Sequence, residues 1–97
     1  MPRFTVRVEL HKAENEPRIY DKLHTAMEEK RFRRTIVRDK VTLELPTAEY
    51  HNEGEKLTGE AILEDAKAAA KSVWPDFSVL VTITELPKLY WNLKKAK

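Results

Sequence analysis

Six basic residues, Lys30, Arg31, Arg33, Arg34, Arg38 and Lys40, fall with one acid, Asp39, inside eleven positions, so this segment alone carries +5. Binding a phosphate chain needs several cations within about 10 Å of one another, and arginine adds a bidentate fork that lysine lacks. Arg31, Arg33, Arg34 and Arg38 are therefore candidate contacts to an RNA backbone. A solvated turn whose cations complement a helix C-terminus accounts for the same residues without a ligand. Three histidines, His11, His24 and His51, are the only side chains whose ordinary pKa lies near neutrality. RNA cleavage without a metal needs a base for the 2′-hydroxyl proton and an acid for the leaving oxygen. By elimination all three are candidates, and the catalytic assignment taken is His24 with His51. An isolated surface histidine is more often incidental, and the spacing does not say which of the three converge.

Other chemistries find little support in the chain. It has no cysteine, which removes disulfides, thiolate nucleophiles and thiolate metal sites together. Two glycines cannot build a glycine-rich phosphate loop, and neither an HExxH pair nor a GxSxG elbow occurs. Glu28, Glu29, Glu60, Glu64 and Asp65 sit at the spacing of solvated helix faces. No metal and no cofactor is expected. The formal net charge of +2 is too small to mark a nucleic-acid binder by itself, so distribution carries the argument.

The elements that would position these residues follow from hydrophobic period. With 41% hydrophobic and 35% charged residues in 97, the composition is that of one globular unit with a charged surface. Phe4, Val6, Val8 and Leu10 alternate with polar residues and predict a first strand. Asn15 as cap and Pro17 in the first turn open a helix with Ile19, Leu23 and Met27 on one face, running to about Lys30 and carrying His24. Phe32 to Arg38, then Val41 to Leu45, predict two strands joined at Asp39-Lys40. Pro46 closes the third strand and opens a loop to Leu57, which holds His51. Thr58 caps a second helix with Ile62, Ala66, Ala69, Ala70 and Val73 on one face, and Trp74-Pro75 ends it. Phe77, Val79, Val81 and Ile83 mark a fourth strand.

The order β-α-β-β-α-β folds most simply into an α+β ferredoxin-like two-layer sandwich, a four-stranded antiparallel sheet with both helices on one face. Its bare face would present Arg3, Thr5, Arg7, Glu9, Thr42, Glu44, Ser78, Leu80, Thr82 and Thr84. That face suits water, a nucleic-acid strand or a second copy in a homodimer. Residues 1–87 form the expected domain, and 88–97 a basic tail in which Tyr90 and Trp91 sit among lysines. The tail either stacks on bases or docks on the domain or a partner. No apolar run is long enough to span a bilayer and no signal-peptide core opens the chain, which predicts a cytoplasmic protein with no membrane contact.

Four stretches carry a resemblance: Phe4-Thr5-Val6-Arg7-Val8-Glu9-Leu10-His11, Tyr20-Asp21-Lys22-Leu23-His24-Thr25-Ala26-Met27, Phe32-Arg33-Arg34-Thr35-Ile36, and Leu45-Pro46-Thr47-Ala48-Glu49-Tyr50. With Val79-Leu80-Val81-Thr82 they resemble the GhoS-like family of type V antitoxin endoribonucleases, over nearly the whole domain but not the tail. The resemblance implies a small ferredoxin-like protein that neutralises a membrane toxin by cleaving the toxin's messenger RNA. It also implies a first-helix arginine assisting catalysis, and the matching position here is His24. The histidine either replaces that arginine as acid or phosphate ligand, or marks a branch that binds RNA without cutting it. Val41 matches an aromatic position that serves packing. Three functions are thus open: a metal-independent endoribonuclease, a non-catalytic RNA-binding module, and a dimerising or partner-binding domain.

Overall fold

A computed structural model of the chain describes residues 2–46, 48–85, 93 and 95. The elements are β1 (Arg3–Leu10), α1 (Ile19–Glu29), β2 (Thr35–Arg38), β3 (Val41–Glu44), β4 (Glu49–Glu53), α2 (Gly59–Val73) and β5 (Phe77–Thr84). The fold is α+β, with two helices and antiparallel sheets. Strand β1 is central, pairing with β4 on one side and β5 on the other, while β2 and β3 form a separate two-stranded sheet.

The expected single four-stranded sheet is therefore replaced by a three-stranded sheet and a hairpin. The break lies at Pro46 and Ala48. Proline offers no N–H to a ladder, and Ala48 takes φ 68°, a left-handed conformation in which a strand cannot continue. Beyond them the chain pairs again as β4, with Tyr50 opposite Val6 and His51 opposite Thr5. The expected loop from Pro46 to Leu57 thus contains a strand. The hairpin still joins the larger sheet at its base, because Arg33 and His51 exchange backbone hydrogen bonds of 2.9 and 2.7 Å. As a further consequence, Thr42 and Glu44 belong to the hairpin and not to the bare face of the larger sheet.

The helices follow their apolar faces. Ile19, Leu23 and Met27 of α1, and Ile62, Ala66, Ala69 and Ala70 of α2, join Phe4, Val6, Val8 and Leu10 of β1 in one buried cluster with Phe32 and Tyr50. Both helices hence lie over the same face of β1, since alternate side chains of a strand share a face. Thr58 caps α2, its hydroxyl accepting from the Ala61 N–H at 3.1 Å. Gly59 opens α2 beside β5, where a Cβ would stand 2.6 Å from Cδ1 at the tip of the exposed Ile83 side chain. Asn15 does not cap α1; turns through Ala13, Glu16 and Arg18 deliver the chain to Ile19 instead. At the other end Arg31 takes φ 68°, with its N–H on Glu28 O and the Phe32 N–H on Met27 O. This double bond is a helix stop of the kind glycine usually serves, and it turns Phe32 into the core. The expected second strand accordingly begins at Thr35 and not at Phe32.

Ile36, Leu43 and Leu45 of the hairpin form a second, smaller cluster against which Leu93 packs, and Lys95 bridges to Leu43. The remaining residues of the expected tail, Tyr90 and Trp91 among them, lie outside the described residues. Among the described residues no helix is long and apolar enough to cross a membrane.

Candidate functional site

Strand β4 separates the two candidate histidines. Tyr50 faces the helices and is fully buried. Its neighbour His51 must point to the opposite, open face, because successive side chains of a strand alternate. His24 belongs to the Tyr50 side: its Nδ1 lies 2.7 Å from the Tyr50 hydroxyl, and the rings are tilted at 58° with centroids 5.8 Å apart. His24 and His51 do not converge, and they share no site as an acid–base pair.

On the helix side, burial pushes the Tyr50 phenol well above its usual pKa, with Arg34 opposing, so the hydroxyl keeps its proton. That proton needs an acceptor, and among the described residues its hydrogen bond is to His24. The neutral imidazole therefore accepts at Nδ1 and carries its own proton on Nε2. Burial is the first cause that lowers the His24 pKa and the Arg34 charge the second, while Asp21 and Glu28 pull it back up. Among the described residues the Arg34 Nε is buried with no hydrogen-bond partner. This side is built to hold a neutral histidine next to a cation.

On the open face, His51 is buried to 7% exposure in the floor of a cleft of about 250 Å3 between β4 and the hairpin. Arg3, Arg33, Arg38, Thr35 and Glu53 line it with His51. Glu53 Oε1 lies 3.7 Å from His51 Nε2, and Glu53 Oε2 lies 3.6 Å from Arg3 Nε. Arg3 also donates to the Glu85 carbonyl at 2.7 Å. Arg33 lines this cleft and two neighbouring hollows, one shared with Arg31 and Arg34 and the other with Arg31, Asn52 and Lys56. Three arginines and one glutamate thus share a cleft with one histidine, a lining whose cations suit a phosphodiester and whose imidazole suits proton transfer.

The basic stretch thus splits. Arg33 and Arg38 reach the His51 cleft, Arg34 bears on His24, and Arg31 lies between the two hollows. Arg3 and Glu53 complete the cleft and were not among the candidates. Arg3 comes from a different strand, and Glu53 from a segment that reads as loop; only the β1–β4 register, Arg3 opposite Glu53, brings them beside His51. Tyr50 belongs with them, since one tyrosine amid polar residues shows no alternation that would mark a strand. Among the described residues no group of three His, Asp or Glu side chains is placed to hold a metal ion. Comparison of the chain with protein-family models, curated proteins and solved structures finds no match.

Proposed function

We propose that the chain acts on RNA as a metal-independent endoribonuclease of the antitoxin kind, with the messenger of a membrane toxin as its target. The observation that carries this reading is the cleft that Arg3, Arg33 and Arg38 line together with His51. A phosphodiester in it meets guanidiniums from the sheet and from the hairpin. His51 takes the 2′-hydroxyl proton, the 2′-oxygen attacks phosphorus, and the 5′-oxygen leaves with a proton from water, giving a 2′,3′-cyclic phosphate. In this reading His24 holds the Tyr50 hydroxyl and does not touch the reacting atoms.

The ferredoxin-like architecture belongs to the same proposal. The order β4-β1-β5, the helices on one face, and the Arg33–His51 bridge support it, with the third strand of the sandwich broken into β3 and β4. The cleft lies between β4 and the hairpin, which the break at Pro46 and Ala48 separates in the chain.

The test is incubation of the full chain with a panel of RNAs in a metal chelator, including the messenger of a single-span membrane peptide. Discrete fragments with cyclic phosphate ends, and binding that weakens steeply with salt, are expected. Salt-sensitive binding without fragments leaves an RNA-binding module, and intact RNA with salt-independent binding defeats both.

A further inference from the structure

Away from the cleft, at the other end of the open face, three side chains meet that the sequence does not associate. Glu9 on β1 and Ser78 on β5 are direct partners in the antiparallel register. His11, two residues past Glu9, emerges on the same face. Its Nδ1 lies 3.4 Å from Glu9 Oε1 and its Nε2 lies 2.6 Å from Ser78 Oγ. In the tautomer with its proton on Nδ1, on the Glu9 side, Nε2 accepts and the serine hydroxyl donates to it. This is the relation of nucleophile, base and orienting acid that activates a serine.

The backbone holds the histidine as well. The His11 N–H donates to the Asp76 carbonyl at 2.9 Å, and the His11 carbonyl accepts from the Trp74 indole N–H at 2.7 Å. The His11–Asp76 bond sets the alternation of the ladder, so Ser78 bonds toward β1 and the Val79 N–H points to the outer edge of β5. Among the described residues β5 is the last strand of its sheet, which leaves that N–H as a donor beside the serine. Leu80, two residues on along the same face, is 64% exposed and offers an apolar rest.

We propose that Ser78, with His11 as its base and Glu9 as a positioning residue, is an acyl-accepting nucleophile for activated esters or thioesters of short aliphatic acids. Ser78 Oγ attacks the acyl carbonyl carbon as its proton passes to His11 Nε2. The alkoxide or thiolate leaves with that proton, and the acyl group stays on Ser78 as an ester. Water then attacks the acyl carbon, gives its proton to His11, and frees the acid as Ser78 recovers the proton. The acyl chain lies toward Leu80. No glycine-flanked elbow presents this serine; among the described residues it sits on a sheet edge, where acyl groups borne on large carriers can reach it.

The experiment uses the full chain with p-nitrophenyl butyrate, reading nitrophenolate release and the butyrylated residue by peptide mass spectrometry. The expected result is butyryl ester at Ser78, lost in Ser78→Ala and slowed roughly a hundredfold or more in His11→Ala. Glu9→Gln should slow it by about tenfold or more and Glu9→Asp should restore part of the rate, with unchanged circular dichroism in every variant. Butyrylation confined to lysines, or a Ser78→Ala protein that releases nitrophenolate as fast as the parent, overturns the proposal.

Discussion

Tyr50 and His51, adjacent in the chain, serve opposite sides of β4: the Tyr50 hydroxyl bonds His24 beneath the helices, and His51 floors an arginine-lined cleft on the open face. A single strand thus carries two buried polar groups on opposite faces. The two histidines should respond differently to every perturbation.

Replacement of His51 by alanine is expected to lower RNA cleavage by roughly a hundredfold or more while leaving the fold intact. His24→Ala strands the buried Tyr50 hydroxyl and should cost about 1–3 kcal/mol in urea unfolding with a much smaller loss of rate. Tyr50→Phe in the His24→Ala background should recover part of that stability, because it removes the orphaned hydroxyl; a double-mutant cycle measures the coupling. A His24→Ala protein of normal stability and no activity would reverse these assignments.

Acid should destabilise the protein through His24. Its folded pKa lies below its ordinary value of 6.5, chiefly through burial and then through Arg34, so the unfolded chain binds the proton more readily. Stability from this group is complete above pH 6.5 and is lost as the pH falls from there toward the folded pKa. The thermal midpoint should drop in that window, and His24→Gln should flatten the drop. Arg34→Met should raise the His24 pKa in an NMR titration.

Arg31 occupies a left-handed position at φ 68°, where a side chain is strained and glycine is not. Arg31→Gly should therefore stabilise the fold by about 1 kcal/mol. The same change removes a cation beside the hollows of Arg33 and should reduce the salt slope of RNA binding by about 1 if Arg31 meets a phosphate. Equilibrium unfolding and a salt titration read the two effects separately.

Thr58→Ala removes the α2 cap and should cost about 1 kcal/mol, with no change in RNA affinity, since the cap lies on the helix layer and not in the cleft. Thermal unfolding beside a binding titration checks both halves.

Hydrophobic period alone determines β1, both helices and β5, because Phe4, Val6, Val8 and Leu10, or Ile62, Ala66, Ala69 and Ala70, repeat at the spacing of the face they bury. The charge cluster from Lys30 to Lys40 is equally plain, as charge is a property of composition. Strand β4 is different. Glu49, Tyr50, His51, Asn52 and Glu53 show no apolar alternation, and the segment becomes a strand only because β1 offers it a ladder. The break at Pro46 and Ala48 then decides that the hairpin leaves the sheet, and with it which arginines share a cleft. Chain order cannot say that Arg3 faces His51, that His24 faces Tyr50 instead, or that Ser78 meets His11. Those pairings come from strand register and from the seating of α1 on the sheet, which long-range packing selects and no local stretch of residues encodes.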